Sequence, residues 1–253
     1  MKIIFSESEP FYESYTFNYA VYAESEGDDL SQIYNSGFLP YTDNSSLEGN
    51  RFYLCRSLRV KLNDFSLNSE NRRILRKIEG QNMNCRIMAA KKLVDDTSFF
   101  DFCQRYAEER FHGRSLSEKR LRYILNWHDD TKLWEYRLDD QIMGYVLGIE
   151  GTDFLHYWYS FYNLKLSGQL PLGKILMTKF IEEAARAKVK YVYLGTCYHK
   201  RSLYKARDYN SVEFYDGNLW NDKLYELKQR CKWDDREEKQ RLDWLKYSDS
   251  EAI

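Results

Sequence analysis

The run DFLHYWYSFYNLKLSGQLPLGKILMTKFIEEAARAKVKYVYLGT (153–196) decides the fold. Its first eleven residues carry aromatics on both faces of a strand-like segment, as suits a strand buried on both sides. GQLPLGKILMTKFIEEAARAK (168–188) then changes period. Leu172, Ile175, Leu176, Phe180 and Ala184 fall at helical spacing beside the Lys179 stem. VKYVYLGT (189–196) returns to a strand and stops at Gly195. Beyond it, CYHKRSLYKAR (197–207) is basic and aromatic. Cationic and stacking groups therefore stand at the end of a buried strand, where open α/β sheets keep their ligands.

Working toward the N-terminus, KLWEYRL, Asp139-Asp140 and QIMGYVLGIE read as a hairpin, the acids serving as its turn. Two helices are expected over 97–113 and 115–127. Thr97 or Ser98 would cap the first; Ser115 would cap the second with Glu118 as capping-box partner. Further back lie a strand over 15–22 and a helix capped by Asp28 or Asp29 and closed by Gly37. A strand follows over 52–65 with Leu58, Val60 and Leu62 on one face, then a helix over 66–77 capped by Asn68 or Ser69. The expected fold class is α+β: a mixed sheet flanked by helices, with a smaller N-terminal α/β subdomain over 1–80 and the main domain over 81–253. Residues 221–253 read as a solvated helical tail.

Hydrophobic residues make up 43% of the 253 and charged residues 30%, the balance of a globular protein. No window has the ~18 apolar residues of a membrane span, and a cytoplasmic protein without membrane or DNA partners is expected. Five scattered cysteines without a CxxC pair suggest reduced thiols, and four histidines show no metal-ligand spacing. The net charge of −1 hides segregation. Residues 1–50 hold nine acids against one lysine. Residues 51–92 hold eleven Lys/Arg against three acids, and 160–209 ten against three. The two basic segments can form one phosphate-binding face or two solvated faces. Cys197 and His199 would share a side of an extended chain, more simply an incidental pair than a nucleophile and base.

The order of three strands, loop, helix and strand, preceded by two helices, resembles the N-acetyltransferase (GNAT) fold. In that fold the sheet splays between the aromatic strand and the strand after the helix, and the donor sits in the splay. The loop SGQLPLGK (167–174) lies where such enzymes cradle a pyrophosphate, but the usual basic-x-x-Gly-x-Gly/Ala pattern is absent. Several motifs resemble a narrower family, the arginyl-tRNA–protein transferases and their bacterial leucyl-transferring relatives. They are Phe161-Tyr162-Asn163, Pro171-Leu172-Gly173, Tyr191-Val192-Tyr193-Leu194-Gly195 and Tyr204-Lys205-Ala206-Arg207. Gly37-Phe38, the run Arg59–Phe65 and Asn71-Arg72-Arg73 are similar to the family's N-terminal half. Asn163 stands where the family has Asp, Leu164 where it has Pro, and Cys55 remains of its cysteine cluster.

The resemblance implies transfer of an amino acid from a charged tRNA to a free α-amine at a protein or peptide N-terminus, the chemistry of N-degrons. Aminoacyl-tRNA would be a co-substrate, with no further cofactor and no metal. Tyr159, Tyr162 and Asn163 are the expected catalytic residues. Arg72, Arg73, Leu172, Gly173, Gly195, Lys200, Arg201, Tyr204, Lys205 and Arg207 are the expected binding residues. Among them Lys200, Arg201, Lys205 and Arg207 would meet phosphates, and Tyr198 or Tyr204 would stack on terminal bases. The alternatives are a coenzyme-A-dependent N-acetyltransferase and a non-catalytic tRNA-binding module.

Overall fold

The computed structural model describes residues 2–6, 20–24, 27, 29–42, 50–110 and 116–248. Within them the chain runs β1 (Lys2–Ser6), β2 (Ala20–Glu24), α1 (Leu30–Asn35), β3 (Phe38–Pro40), β4 (Arg51–Leu54), β5 (Ser57–Lys61) and α2 (Ser69–Leu75). It continues through β6 (Met83–Ala89), α3 (Thr97–Arg110), α4 (Glu118–Leu125), β7 (Thr131–Leu138), β8 (Gln141–Glu150) and β9 (Phe154–Tyr162). The last part holds α5 (Leu164–Ser167), α6 (Leu172–Arg186), β10 (Tyr191–Thr196), α7 (Tyr204–Arg207), β11 (Val212–Tyr215), β12 (Trp220–Asn221) and α8 (Leu224–Ser248).

Among the described residues the main sheet has eight strands in the order β12-β11-β5-β10-β9-β8-β7-β6, and a four-stranded sheet has the order β1-β2-β4-β3. The pair β9–β10 is parallel and its neighbours are antiparallel, which makes the main sheet mixed. The helix between β9 and β10 imposes this, because parallel neighbours need a long crossover. β5, from the first sixty-odd residues, pairs with both β10 and β11. The main sheet thus takes strands from both sides of residue 80.

Alternation along the strands gives each sheet face its own core. Trp134, Tyr136, Val146, Tyr157 and Val192 pack with Ile175, Leu176 and Phe180 of α6. On the other face Leu133, Tyr145, Leu147 and Phe161 meet Phe99, Cys103 and Tyr106 of α3 and Leu121 of α4. A third cluster joins Ile33 and Tyr34 of α1 to Phe52, Trp127, Phe154 and Tyr193.

Local signals placed most ends. Asp29 caps α1 by accepting from Ser31 N–H, and Gly37 follows at φ +86°. Asn68 caps α2 in a reciprocal box with Asn71. The Asp139-Asp140 turn takes φ +47° and +66°, as a two-residue hairpin requires. Other expectations are corrected. The strand over 52–65 breaks at Cys55-Arg56 into β4 and β5, which belong to different sheets. Cys55 N–H donates to Gly37 O, and Arg56 N–H to the Tyr198 hydroxyl. These tertiary bonds replace a continuous ladder. Asp96, rather than Thr97 or Ser98, caps α3 by accepting from Phe99 N–H. Ser117 caps α4; Ser115 lies outside the described residues, as do Asp28 and the start of the 15–22 strand. The helix expected from 168 begins at Leu172, because Pro171 holds the entry position and disfavours helix before it. No helix among the described residues is long and apolar enough to cross a membrane.

Candidate functional site

β9 and β10 begin as neighbours and then part. They pair at Phe154–Tyr191, Leu155–Val192 and His156–Tyr193. Beyond that β9 follows β8 to Tyr162, while β10 follows β5 to Thr196. Bulges accompany the divergence. β9 carries an extra residue where Leu147–Gly148 face Tyr159 and Tyr157. β10 slips between Tyr193 and Thr196, around Gly195 at φ +77°. Bulges bend a strand and strengthen its twist, so two in adjacent strands help part β9 from β10. The first turns of α6 and α7 follow directly on the loops at this end.

Tyr162 ends β9 at the mouth. Its ring meets Tyr106 of α3 edge-on, centroids 4.7 Å apart, and Arg110 stands 5.7 Å from the ring centre. On its other side lies α6, where a Cβ at Gly173 would sit 3.3 Å from the Tyr162 Cε1. Gly173 is therefore the residue that lets the ring lie against the helix entry. Burial, then a hydrogen bond to Tyr162, pushes the Tyr106 phenol up. Burial and the neighbouring Tyr162 do the same to Tyr204, which keeps 36% exposure. Tyr106, Tyr162 and Tyr204 thus bring three phenols together, and burial keeps those of Tyr106 and Tyr204 protonated at neutral pH. Leu172 is buried in the core on the α6 side of the sheet. Its helix entry has no side-chain cap.

The other expected catalytic residues do other work. Asn163 caps α5: its side-chain oxygen accepts from Lys165 N–H at 3.0 Å and Leu166 N–H at 3.4 Å. Its amide donates to Ile142 O. The β9 bulge turns Tyr159 to the α3 side, where it stacks on Phe161 and its hydroxyl lies 3.2 Å from Thr42 Oγ1. Tyr159 and Tyr162 are three residues apart, so alternation puts them on opposite faces, and the one-residue bulge before Tyr159 decides which face each takes.

The expected binding residues divide. Asp208 organises one group: Lys174 Nζ lies 2.7 Å and Arg207 Nε 2.9 Å from its carboxylate, and its backbone oxygen accepts from Asn68 and Asn71 at the entry of α2. Arg72 and Arg73 are exposed on α2, Arg73 in a two-pronged pair with Glu70. The two basic segments of the sequence therefore do meet, along α2, α6 and α7. A groove of about 740 Å³ continues this surface, with Arg72, Arg76 and Lys179 over Leu75, Ile78 and Met83.

Lys200, Arg201, Tyr198 and Lys205 lie elsewhere. Lys200 N–H donates to Asp235 of α8, and Arg201 shares that exposed turn. Tyr198 is buried, accepts from Arg56 N–H and has the Arg56 guanidinium 4.9 Å from its ring centre, so it offers no base-stacking face. Lys205 turns inward and donates to Leu194 O at 3.0 Å and Thr196 O at 2.7 Å. His156, at the last paired position of β9, is buried with Nδ1 3.0 Å from the Tyr34 hydroxyl. Burial first, and then the Lys205 charge, lowers His156 to about 3, so it is neutral. Cys197 and His199 do not pair: His199 lies 3.0 Å from Asp235, and Cys197 Sγ lies 3.7 Å from Cys231 of α8. Sequence reading missed Tyr106, Arg110, His156 and Lys174. Tyr106 and Arg110 stand one helical turn apart on an expected helix, but their meeting with Tyr162 is long-range.

A comparison with protein families matches residues 71–209, more than half the chain, to the family described as acetyltransferase (GNAT) domain. The chain belongs to this acetyltransferase family. Curated relatives of this GNAT protein include the aspartate/glutamate leucyltransferase of Pseudomonas syringae pv. syringae (strain B728a). That protein is 25% identical over 174 residues, 66% of this chain and 70% of its own. The protein of the same name from Chromobacterium violaceum is 26% identical over 218 residues, 79% of this chain and 84% of its own. Of the two branches that the sequence resembles, these names belong to the leucyl one; none of the relatives named here speaks for the arginyl one. On these matches the GNAT protein is an aminoacyltransferase. Among solved structures, that of L-PGS from Bacillus licheniformis aligns at a TM-score of 0.43 with 11% identity, over 71% of this chain. The chain spans 55% of that structure, and at such a score the likeness adds nothing to the assignment.

Proposed function

We propose that the protein moves an amino acid from a charged tRNA to the free α-amine of a protein or peptide N-terminus. Leucine as donor and an acidic N-terminal residue as acceptor are the first pair to try, because the relatives are named for them. The observation that carries the reading is the cleft itself. A phenol-lined mouth, Tyr106, Tyr162 and Tyr204, adjoins a basic surface built from α2, Lys174 and Arg207. Phenols suit an ester and an amine exchanging a proton; the cations suit the acceptor stem of a tRNA.

The ester of an aminoacyl-tRNA is already activated, so the step needs orientation and proton transfer rather than ATP. An α-amine has a pKa of about 7.7–8.0 and is partly neutral at pH 7. Its nitrogen attacks the ester carbonyl carbon. The new C–N bond forms, the bond from carbonyl carbon to ribose oxygen breaks, and the amine proton passes to that oxygen. Tyr162, hydrogen-bonded to Tyr106, is placed to relay the proton. Leu172 N–H is taken by Leu170 O, so the backbone N–H of Gly173 at the α6 entry is the candidate oxyanion donor. Such a reaction belongs to the cytoplasm, where charged tRNA is found.

The test offers the pure protein tRNA charged with labelled amino acids, together with peptides bearing acidic, basic and apolar N-termini. Acetyl-CoA is run in parallel, because the family's description favours that donor too. Label on a peptide N-terminus supports the proposal and names donor and acceptor. Acetylated peptide, or tRNA retained on a filter without any product, overturns it.

A further inference from the structure

Lys205 has a role that neither a phosphate contact nor packing accounts for. Where β10 leaves β9, its backbone loses the neighbour that a parallel ladder would supply, and buried carbonyls need another donor. Cys197 N–H donates across to Arg56 O on the β5 side. In a trans peptide the preceding carbonyl points the opposite way, so Thr196 O faces the opening. The bulge at Gly195 brings Leu194 O to the same place, since one Lys205 Nζ bonds both oxygens. A Cβ at Gly195 would lie 3.7 Å from that nitrogen. The ammonium is also felt on β9, where its charge is the second cause of the lowered His156 pKa. Burial pulls the Lys205 pKa down, while the Cys197, Cys55 and Cys231 thiols pull it up. A desolvated charge held by two carbonyls is costly, and a plain packing position would take a neutral side chain instead.

We infer that Lys205 is a positioning residue for acyl transfer: its ammonium replaces the missing β9 backbone at the end of β10 and props the cleft open where the ester enters. The inference rests on the transferase reading above. Its test compares wild type, Lys205→Met and Lys205→Arg in steady-state transfer and in amide hydrogen exchange across 191–198. Lys205→Met is expected to lower kcat at least 100-fold with the KM for charged tRNA within threefold. Lys205→Arg, which keeps donors for both carbonyls, is expected to recover at least tenfold of that loss. Exchange in 194–198 is expected to quicken at least tenfold in Lys205→Met. A raised KM with kcat kept would mark a phosphate contact and overturn the inference, as would unchanged kcat. If Lys205→Met does not fold, Lys205→Arg decides: a lowered kcat with KM kept supports the strut, and a raised KM with kcat kept overturns it. If wild type itself transfers nothing, the transferase reading fails, and exchange alone decides the strut: faster exchange supports it and unchanged exchange overturns it.

Discussion

Acidification should destabilise this protein through one residue, His156. It is 1% exposed, its Nδ1 lies 3.0 Å from the Tyr34 hydroxyl, and burial with the Lys205 charge holds it near 3 against an ordinary 6.5. In the unfolded chain the imidazole binds its proton below about pH 6.5; in the folded protein it does not until about 3. The unfolded state therefore binds more protons across that window, and stability falls as pH falls through it. The loss grows by about 1.4 kcal/mol per pH unit, reaching about 2 kcal/mol at pH 5.0. Urea unfolding of wild type and His156→Asn at pH 7.5, 6.5, 5.5 and 5.0 isolates the effect. The Asn oxygen can accept from Tyr34 but cannot be protonated. Its constant packing loss, and the titration of other groups, cancel in the difference between the two profiles. That difference should narrow by about 2 kcal/mol between pH 7.5 and 5.0. Parallel profiles would refute the reasoning, because His156 would then have to be protonated, or accessible to a proton, in the folded protein.

Three further outcomes are expected. Tyr162→Phe removes the hydroxyl and keeps the ring against Gly173 and Tyr106; kcat for transfer should fall about 100-fold with the melting temperature little changed, as for loss of a proton relay. Gly144→Ala places a Cβ 2.5 Å from the Phe161 backbone oxygen and 3.0 Å from the Tyr162 Cα; it should destabilise by about 1–3 kcal/mol in urea unfolding. Arg73→Ala should raise the KM for charged and the Kd for uncharged tRNA alike, and lower the salt slope of binding by about 1; an unchanged slope would remove Arg73 from the phosphate surface.

Local chemistry written in adjacent residues was legible from the sequence. The period change between 153–163 and 168–188 gave β9 and α6, Asp139-Asp140 gave its turn, and Asn68 and Asp29 gave their caps. These signals act over a few residues and need no partner elsewhere in the chain. The parallel pair, and with it the transferase-like cleft, follows from the strand–helix–strand order. Tertiary structure decided which of the signalled residues face the cleft. A one-residue bulge in β9 put Tyr159 on the α3 side of the sheet, although alternation would have kept it on the face of Tyr157. Asn163 was drawn into capping α5 because a helix happened to start there. Lys205 and Arg207 are two residues apart in one basic run, yet one turns inward to the carbonyls at the end of β10 and the other reaches solvent beside Asp208. Charge alone distinguishes neither. A lysine is turned inward only where unpaired carbonyls await it, and those carbonyls exist only once two distant strands have parted.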